Sequence, residues 1–205
     1  MQDIPPFRPD GISSFYAESR AAWRAWLAAN HQTADKVWLI MYHKKSGVPS
    51  VYYDEAVDEA LCFGWIDSKP AKRNAESYYQ YFSKRKPKSN WSGVNKDKVT
   101  RLAEQGLMTE AGWEMVTLAK KTGTWTALDA VIALEIPKDL QRALEAYPTA
   151  EEHFQRFPAS VKRALLEWIS SAKQPATRAK RILETAQEAA ENRRANQYRP
   201  TKKPS

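Results

Sequence analysis

Three residues in the first half of the chain have side chains that could combine into a nucleophilic site. Cys62 supplies a thiol, His43 an imidazole that could act as its base, and Asp67 a carboxylate that could orient that base. Cys62 lies between Leu61 and Phe63 on the apolar side of a predicted helix, and a free cysteine in such a place is typically a small buried hydrophobic residue. The sequence therefore favours a structural role for Cys62 over a catalytic one.

A second group of residues indicates binding. Between positions 69 and 101 the chain has ten basic and two acidic residues, a net charge of +8, whereas the remainder of its 205 residues is neutral overall. The basic residues are Lys69, Lys72, Arg73, Lys84, Arg85, Lys86, Lys88, Lys96, Lys98 and Arg101. Clustered charge attracts phosphates and acidic partners more strongly than the same charge spread over a surface. We expect these residues to form one polyanion-binding surface for an anionic macromolecule.

Aromatic residues are interleaved with these cations, which makes nucleic acid one of the partners that the segment could bind. Trp91 and the aromatic run at 78–82 stand among the lysines and arginines, and base stacking beside phosphate-neutralising charge is how single strands are commonly held. Neighbouring residues of a strand face opposite sides, so Tyr79 and Tyr81 share one face and only part of the aromatic set can be exposed.

A third interpretation is an enzyme with a small-molecule pocket. Asp67 follows a predicted turn and stands at a strand end, where a polar side chain can form the edge of a site or can bond to nearby backbone amides. The candidate pocket residues are Lys44, Lys45, Trp65, Asp67, Ser68 and Trp91. The sequence indicates no catalytic residue and no reaction.

Composition excludes several classes of protein. The chain is 42% apolar and 27% charged, with a mean hydropathy of -0.67, and no stretch is long and apolar enough for a membrane span. One cysteine excludes an internal disulfide, and three scattered histidines lack metal-ligand spacing, so we expect neither metal nor cofactor. The first residues lack the features of a secretory signal, so we expect a cytoplasmic location.

Hydrophobic periodicity predicts an α+β fold, with a small mixed β-sheet and flanking helices followed by a helical C-terminal part. The predicted strands are 36–44, 65–67 and 77–82, and the predicted helices are 14–29, 53–62, 94–103, 109–123, 137–147, 149–157, 159–172 and 176–195. The predicted domains are an α+β domain at 1–123, which contains the basic segment 69–101, a helical domain at 124–195 and a disordered tail at 196–205.

Two more detailed expectations concern polar residues of the helices. Glu55, Asp58 and Glu59 are expected to form the solvent-exposed face of the helix at 53–62. Thr149 and Glu152 have the spacing of a capping box at the start of the helix that leads into Phe154.

Several strings of residues resemble the YdeI/OmpD-associated family, also called bacteriocin-protection proteins. The strings are residues 60–68 (ALCFGWIDS), 86–92 (KPKSNWS) with Asn95, 106–112 (GLMTEAG), 168–173 (WISSAK) and 177–182 (TRAKRI). The resemblance covers about residues 12–195. It implies tolerance of antimicrobial peptides and association with an outer-membrane porin, and it implies no catalytic residues.

The residues and the resemblance together favour a non-enzymatic binding protein of the envelope-stress type that engages an anionic partner through its basic surface. A nucleic-acid-binding module and an enzyme with a pocket near Trp65 and Asp67 are the alternatives. Direct capture of cationic peptides is not expected, because a chain of net charge +8 repels them.

Overall fold

The computed structural model of the protein describes residues 11–196. Within them, a four-stranded mixed sheet and nine α-helices form the α+β fold that the sequence predicts. The chain divides into two compact units between Ala127 and Leu128. The domain boundary predicted after residue 123 falls in the turns just before this division, and all but the first residue of the predicted tail at 196–205 lies outside the described residues.

The first unit contains the sheet. Its elements are β1 (Ser14–Tyr16), α1 (Arg20–Asn30), β2 (Lys36–Tyr42), α2 (Tyr53–Cys62), β3 (Trp65–Lys72), β4 (Ser77–Lys84), α3 (Gly93–Glu104) and α4 (Glu110–Thr122). The second unit is helical, with α5 (Asp129–Ile132), α6 (Lys138–Glu145), α7 (Ala150–Arg156), α8 (Ala159–Ser170) and α9 (Pro175–Ala190).

The strand order of the sheet is β1-β2-β4-β3, with β1 parallel to β2 and β4 antiparallel to both of its neighbours. Alternate residues of β2 separate the two faces: Val37, Leu39 and Met41 belong to the hydrophobic core. Trp38 lies on the opposite face, which we call the outer face, and the strand register places Tyr81 of β4 beside it.

The helix predicted at 14–29 begins later than the periodicity indicated. Phe15 lies in β1 opposite Leu39, and α1 begins after Ser19, whose side chain accepts a hydrogen bond from the backbone of the first turn. The Phe15 ring stacks against Trp26 with 5.6 Å between ring centroids. The aromatic spacing that predicted a continuous helix therefore comes from a strand residue that packs on the helix.

Two glycines allow α4 to lie directly against the end of α2. Gly64 follows α2 with φ of +72°, a conformation that glycine adopts without strain. Gly112 of α4 approaches Cys62 so closely that a Cβ at this position would lie 2.3 Å from the Cys62 carbonyl oxygen. Thr109 donates to the same carbonyl from its backbone and its hydroxyl, at 3.1 and 2.5 Å, and fixes the start of α4 there.

The prediction that Asp58 and Glu59 face solvent is wrong. Asp58 is only 4% exposed and Glu59 only 2%, because α2 is covered on both sides by other helices of the unit. Glu59 accepts hydrogen bonds from Arg20 and Arg24 of α1, each at 2.6 Å. A carboxylate held by two guanidinium groups can be buried, whereas an unpaired one would be strongly disfavoured.

The second unit has a hydrophobic core of its own. Its buried members include Leu140, Leu144, Phe154, Leu165, Ile169, Ile182 and Ala186. The capping box predicted for Thr149 is wrong, because Thr149 has φ of +63° and its hydroxyl donates to the Ala190 carbonyl of α9 at 3.1 Å. None of the described helices is long and apolar enough to cross a membrane.

Candidate functional site

The structure divides the ten basic residues of the segment 69–101 among three places. Lys69, Lys72 and Arg73 are on the hairpin of β3 and β4; Lys84, Arg85, Lys86 and Lys88 are at the end of β4 and beyond it; Lys96, Lys98 and Arg101 are on α3. Lys72 pairs with Tyr78 and Trp65 pairs with Lys84, so the first two groups are at opposite ends of the hairpin. At about 3.4 Å per residue, Lys72 and Lys84 are separated by roughly 20 Å along the hairpin. The ten cations therefore do not form one surface.

Two cations of α3 form ion pairs inside the first unit. Lys98 donates to Asp58 at 2.8 Å and Arg101 donates to the other oxygen of the same carboxylate at 2.7 Å. Lys98 also lies 3.4 Å from Asp54. The charge of this pair of residues is compensated by carboxylates of α2, so it contributes little to the field outside.

The cations at the end of β4 differ in their surroundings. Lys84 donates to Asp35 at 3.0 Å and to the Gln32 carbonyl at 2.8 Å, so its charge is compensated. Lys86 and Lys88 are exposed in the loop that follows, and within residues 11–196 neither has a carboxylate partner.

Arg85 of the same run is buried, contrary to the prediction that it belongs to an open surface. It is 5% exposed, and its guanidinium carbon lies 3.7 Å from the centre of the Trp91 ring. Burial lowers the pKa of Arg85 to about 10. A residue inside a Lys-Arg-Lys run normally faces solvent, so the sequence offers only the aromatic Trp91 as a signal of this burial.

The hairpin group is the most open of the three. Lys69 and Lys72 are exposed, and Arg73 is half-buried, donating to Ser77 Oγ at 2.9 Å. Among the described residues these cations, which we call the hairpin cations, form no ion pair with a carboxylate. Glu76 is the acidic residue of the hairpin turn and is itself exposed, so the turn region carries a net positive charge.

The outer face of the sheet places aromatic rings next to Lys69, one of the hairpin cations. Lys69 Nζ lies 5.9 Å from the centre of the Trp38 ring, and Tyr81 packs edge-on against the same ring at 4.9 Å. Tyr81 is half-buried and Trp38 is buried. The predicted alternation of the β4 aromatics is confirmed, since Phe82 packs in the core while Tyr81 lies opposite Trp38.

The structure separates the three residues that could have formed a nucleophilic site. Cys62 is buried in the core, and this burial raises the pKa of its thiol to about 11. His43 is exposed and its ring stacks on Tyr78 at 5.4 Å, whereas Asp67 accepts a hydrogen bond from the Tyr53 hydroxyl at 2.7 Å. Each group has a different partner, and the thiol is protonated at neutral pH.

The six residues predicted to line a pocket are also dispersed. Lys44 and Lys45 are exposed in a short helical turn after β2, and Ser68 is exposed on β3. Trp65 lines a cleft of about 310 Å³ in the first unit, and Trp91 stacks on Arg85, which lines the same cleft.

This cleft has apolar and charged walls. Phe63, Trp65 and Met115 provide apolar surface, and Lys84, Arg85 and Glu114 provide charges. Within the part of the chain that the structure describes, no group of three or more His, Cys, Asp or Glu side chains is placed to hold a metal ion.

The fold and these sites define an α+β protein of two compact units, in which a basic hairpin and a charged cleft belong to the first unit. Residues 133–192, in the second unit, match the family described as "Bacteriocin-protection, YdeI or OmpD-Associated". The resemblance predicted from the sequence is thereby confirmed for this part of the chain, and it suggests a function of the bacteriocin-protection or YdeI type.

Most of the first unit matches a different family. Residues 15–115 match a domain of unknown function, DUF8412. The matched range includes the strings at 60–68 and 86–92 and the whole hairpin of β3 and β4. Comparison with curated proteins and with solved structures gives no significant match.

Proposed function

We propose that this protein is a non-enzymatic binding protein that engages an anionic partner through the hairpin cations Lys69, Lys72 and Arg73. One observation carries the proposal: these three cations lie in the second half of β3 and at the residue that follows it, and none has a carboxylate partner among the described residues. The cytoplasmic location expected from the sequence is part of the same proposal.

The charge pattern of the first unit supports this choice of surface. Lys84 is compensated by Asp35, and Lys98 and Arg101 are compensated by Asp54 and Asp58. A compensated pair exerts a weak field beyond about one Debye length of 10 Å. The hairpin cations, like Lys86 and Lys88 of the loop after β4, keep their field, so an approaching polyanion is attracted to these uncompensated cations.

A single-stranded nucleic acid is the second candidate for the partner. The observation in its favour is the position of Tyr81, which is half-buried on the outer face beside the ring that Lys69 approaches. An aromatic side chain next to a cation can stack on a base while the cation neutralises a phosphate. Trp38 itself is buried, so stacking would be confined to the margin of this face.

The family description of the second unit bears on the sign of the partner's charge. A protein of net charge +8 repels cationic peptides, which opposes direct capture of such peptides. If the protein has a protective role, it would bind an anionic cellular partner rather than the cationic peptide. The positive charge of the hairpin is complementary to such a partner.

The proposal is tested by the salt dependence of binding. The probe is a fluorescein-labelled single-stranded DNA of about 12 nucleotides, a length that spans a typical binding site, titrated at several salt concentrations. We expect the variant Lys69→Gln/Lys72→Gln/Arg73→Gln to bind more weakly. Three phosphate contacts contribute about 0.7 each to the slope of log K against log salt, so the slope should fall by about 2.

The matched control removes the same charge from the second unit. Lys138, Lys173 and Lys180 are exposed and have no ion pair among the described residues, so their triple glutamine variant should keep the slope of the parent protein. Inorganic polyphosphate, which has no bases, distinguishes the two candidate partners: equal affinity per charge indicates a general anion surface. An unchanged slope in the hairpin variant would show that the proposal is wrong.

A further inference from the structure

Arg85 has an unusual environment for an arginine. It is the one buried basic residue in the described part of the chain, and its Nε and Nη1 have no hydrogen-bond acceptor. Its Nη2 donates to the Asn90 carbonyl at 2.5 Å. Buried charges are normally paired, and a buried donor without an acceptor is strongly disfavoured.

Packing alone does not compensate this charge. The guanidinium stacks on Trp91, which contributes a modest attraction, while no carboxylate of the described residues bonds to it. The other buried charges of the unit, Asp58 and Glu59, are each held by two opposite charges. Among the described residues of this unit, Arg85 is therefore the buried charged residue that lacks an oppositely charged partner.

The position of Arg85 at a cleft suggests what could pair with its guanidinium. Arg85 lines the cleft of about 310 Å³ that Phe63, Trp65 and Met115 also line, a volume at the lower end of small-molecule sites. We propose that the cleft binds a small organic carboxylate with an aromatic or aliphatic body, and that Arg85 turns toward the cleft to pair with the carboxylate. The apolar walls receive the body of the ligand.

The charges around the cleft favour one negative charge on the ligand. Lys84 is already paired with Asp35, and Glu114, an exposed residue of α4, lines the cleft and repels further negative charge. Inorganic phosphate carries more charge and has no apolar body, so it fits this site less well than a monocarboxylate does.

Binding requires a rearrangement of Arg85. Its Nε and Nη1 are shielded from solvent, so the side chain must give up the Asn90 carbonyl and turn from beneath the wall of the cleft. This motion alters the stacking on Trp91, and Trp91 therefore reports on binding. The site is separate from the hairpin cations, so the two proposals can fail independently.

The test measures binding of indole-3-acetate and of its neutral analogue indole-3-acetamide by calorimetry, and the indole NH signal of Trp91 by NMR. We expect the acid to bind at least about tenfold more tightly than the amide, because only the acid can form a charge-assisted hydrogen bond with the guanidinium. We also expect the acid, and not the amide, to shift the Trp91 signal, which Trp91→Phe identifies. Inorganic phosphate should not compete.

Arg85→Met separates a ligand-binding role from a structural one. It should abolish the preference for the acid while leaving the melting temperature equal or higher, since methionine fills similar space without a buried charge. Lys88→Met removes the same charge from the exposed loop and should leave binding unchanged. Equal binding of acid and amide, competition by phosphate, no binding at all, or full binding by Arg85→Met would each overturn the proposal.

Discussion

Gly112 offers a test of the fold, because replacing it by alanine should destabilise the protein, whereas the same replacement inside most helices is stabilising. Replacing a glycine inside a helix by alanine normally stabilises a protein, by up to about 1 kcal/mol. Gly112 lies in α4, but a Cβ there would be 2.3 Å from the Cys62 carbonyl oxygen and 2.9 Å from that of Leu61. Both are backbone atoms at the end of α2, so they cannot move aside as a flexible side chain would.

The expected magnitude follows from these two terms. Overpacking of this kind is unfavourable by about 3 kcal/mol, and the gain in helix propensity returns about 1, so Gly112→Ala should destabilise the first unit by about 2 kcal/mol. For a unit of this size the melting temperature should fall by about 8 °C.

Tryptophan fluorescence during thermal or urea unfolding measures this effect in the right unit, because seven of the eight tryptophans precede residue 128. Thr117→Ala, at an exposed position of the same helix, is the control and should leave stability unchanged or slightly higher. A Gly112→Ala protein as stable as the parent would refute the close approach of α4 to α2. It would also refute the arrangement of the cleft, whose wall includes Gly64 and Met115.

Two further predictions concern the buried polar groups of α2. Glu59→Ala should destabilise the first unit by about 3 kcal/mol in urea unfolding, at the lower end of the range for a broken buried pair because Arg20 and Arg24 are one-third exposed. The control Asp35→Ala, at an exposed ion pair, should change stability by less than about 1 kcal/mol. Equal effects of the two substitutions would contradict the burial of Glu59. The Cys62 thiol should resist a disulfide reagent at pH 8 in the folded protein and react at once in urea. Fast labelling of the folded protein would contradict the burial of this thiol. Because the pKa of the Cys62 thiol is raised from 9.0 to about 11 on folding, its contribution to stability is complete below pH 9 and is lost as pH rises through 11. The stability of Cys62→Ala should therefore decline less steeply than that of the parent protein over this pH range.

Local patterns predicted most elements of this fold. The helix at Tyr53–Cys62 was predicted with the observed bounds, since its apolar spacing and the following Gly64 are both contained in a short window. The strand β1 was missed because it has only three residues and its pairing with β2 depends on residues more than twenty positions away. A short strand has no periodicity of its own that a local pattern can reveal.

The electrostatic features were harder to predict, because ion pairs join distant parts of the chain. Asp58 and Glu59 have the composition of a solvent-exposed helix face, and only the positions of Arg24 and Lys98 in the fold show that both carboxylates are buried. The same pairing removes several cations from the predicted basic surface. The clustering of basic residues along the sequence therefore predicted where the positive charge is concentrated. It did not predict which of these cations lack a carboxylate partner in the fold.

The most direct test of the proposed function is to locate the binding surface by NMR. Backbone amide signals are followed during titration with the single-stranded DNA at low salt. We expect the largest shifts at residues 69–73 and at Tyr81, with the signals of the second unit unchanged and all shifts reversed by high salt. Shifts centred on α3 or on the second unit, or shifts that are uniform over the chain, would contradict it.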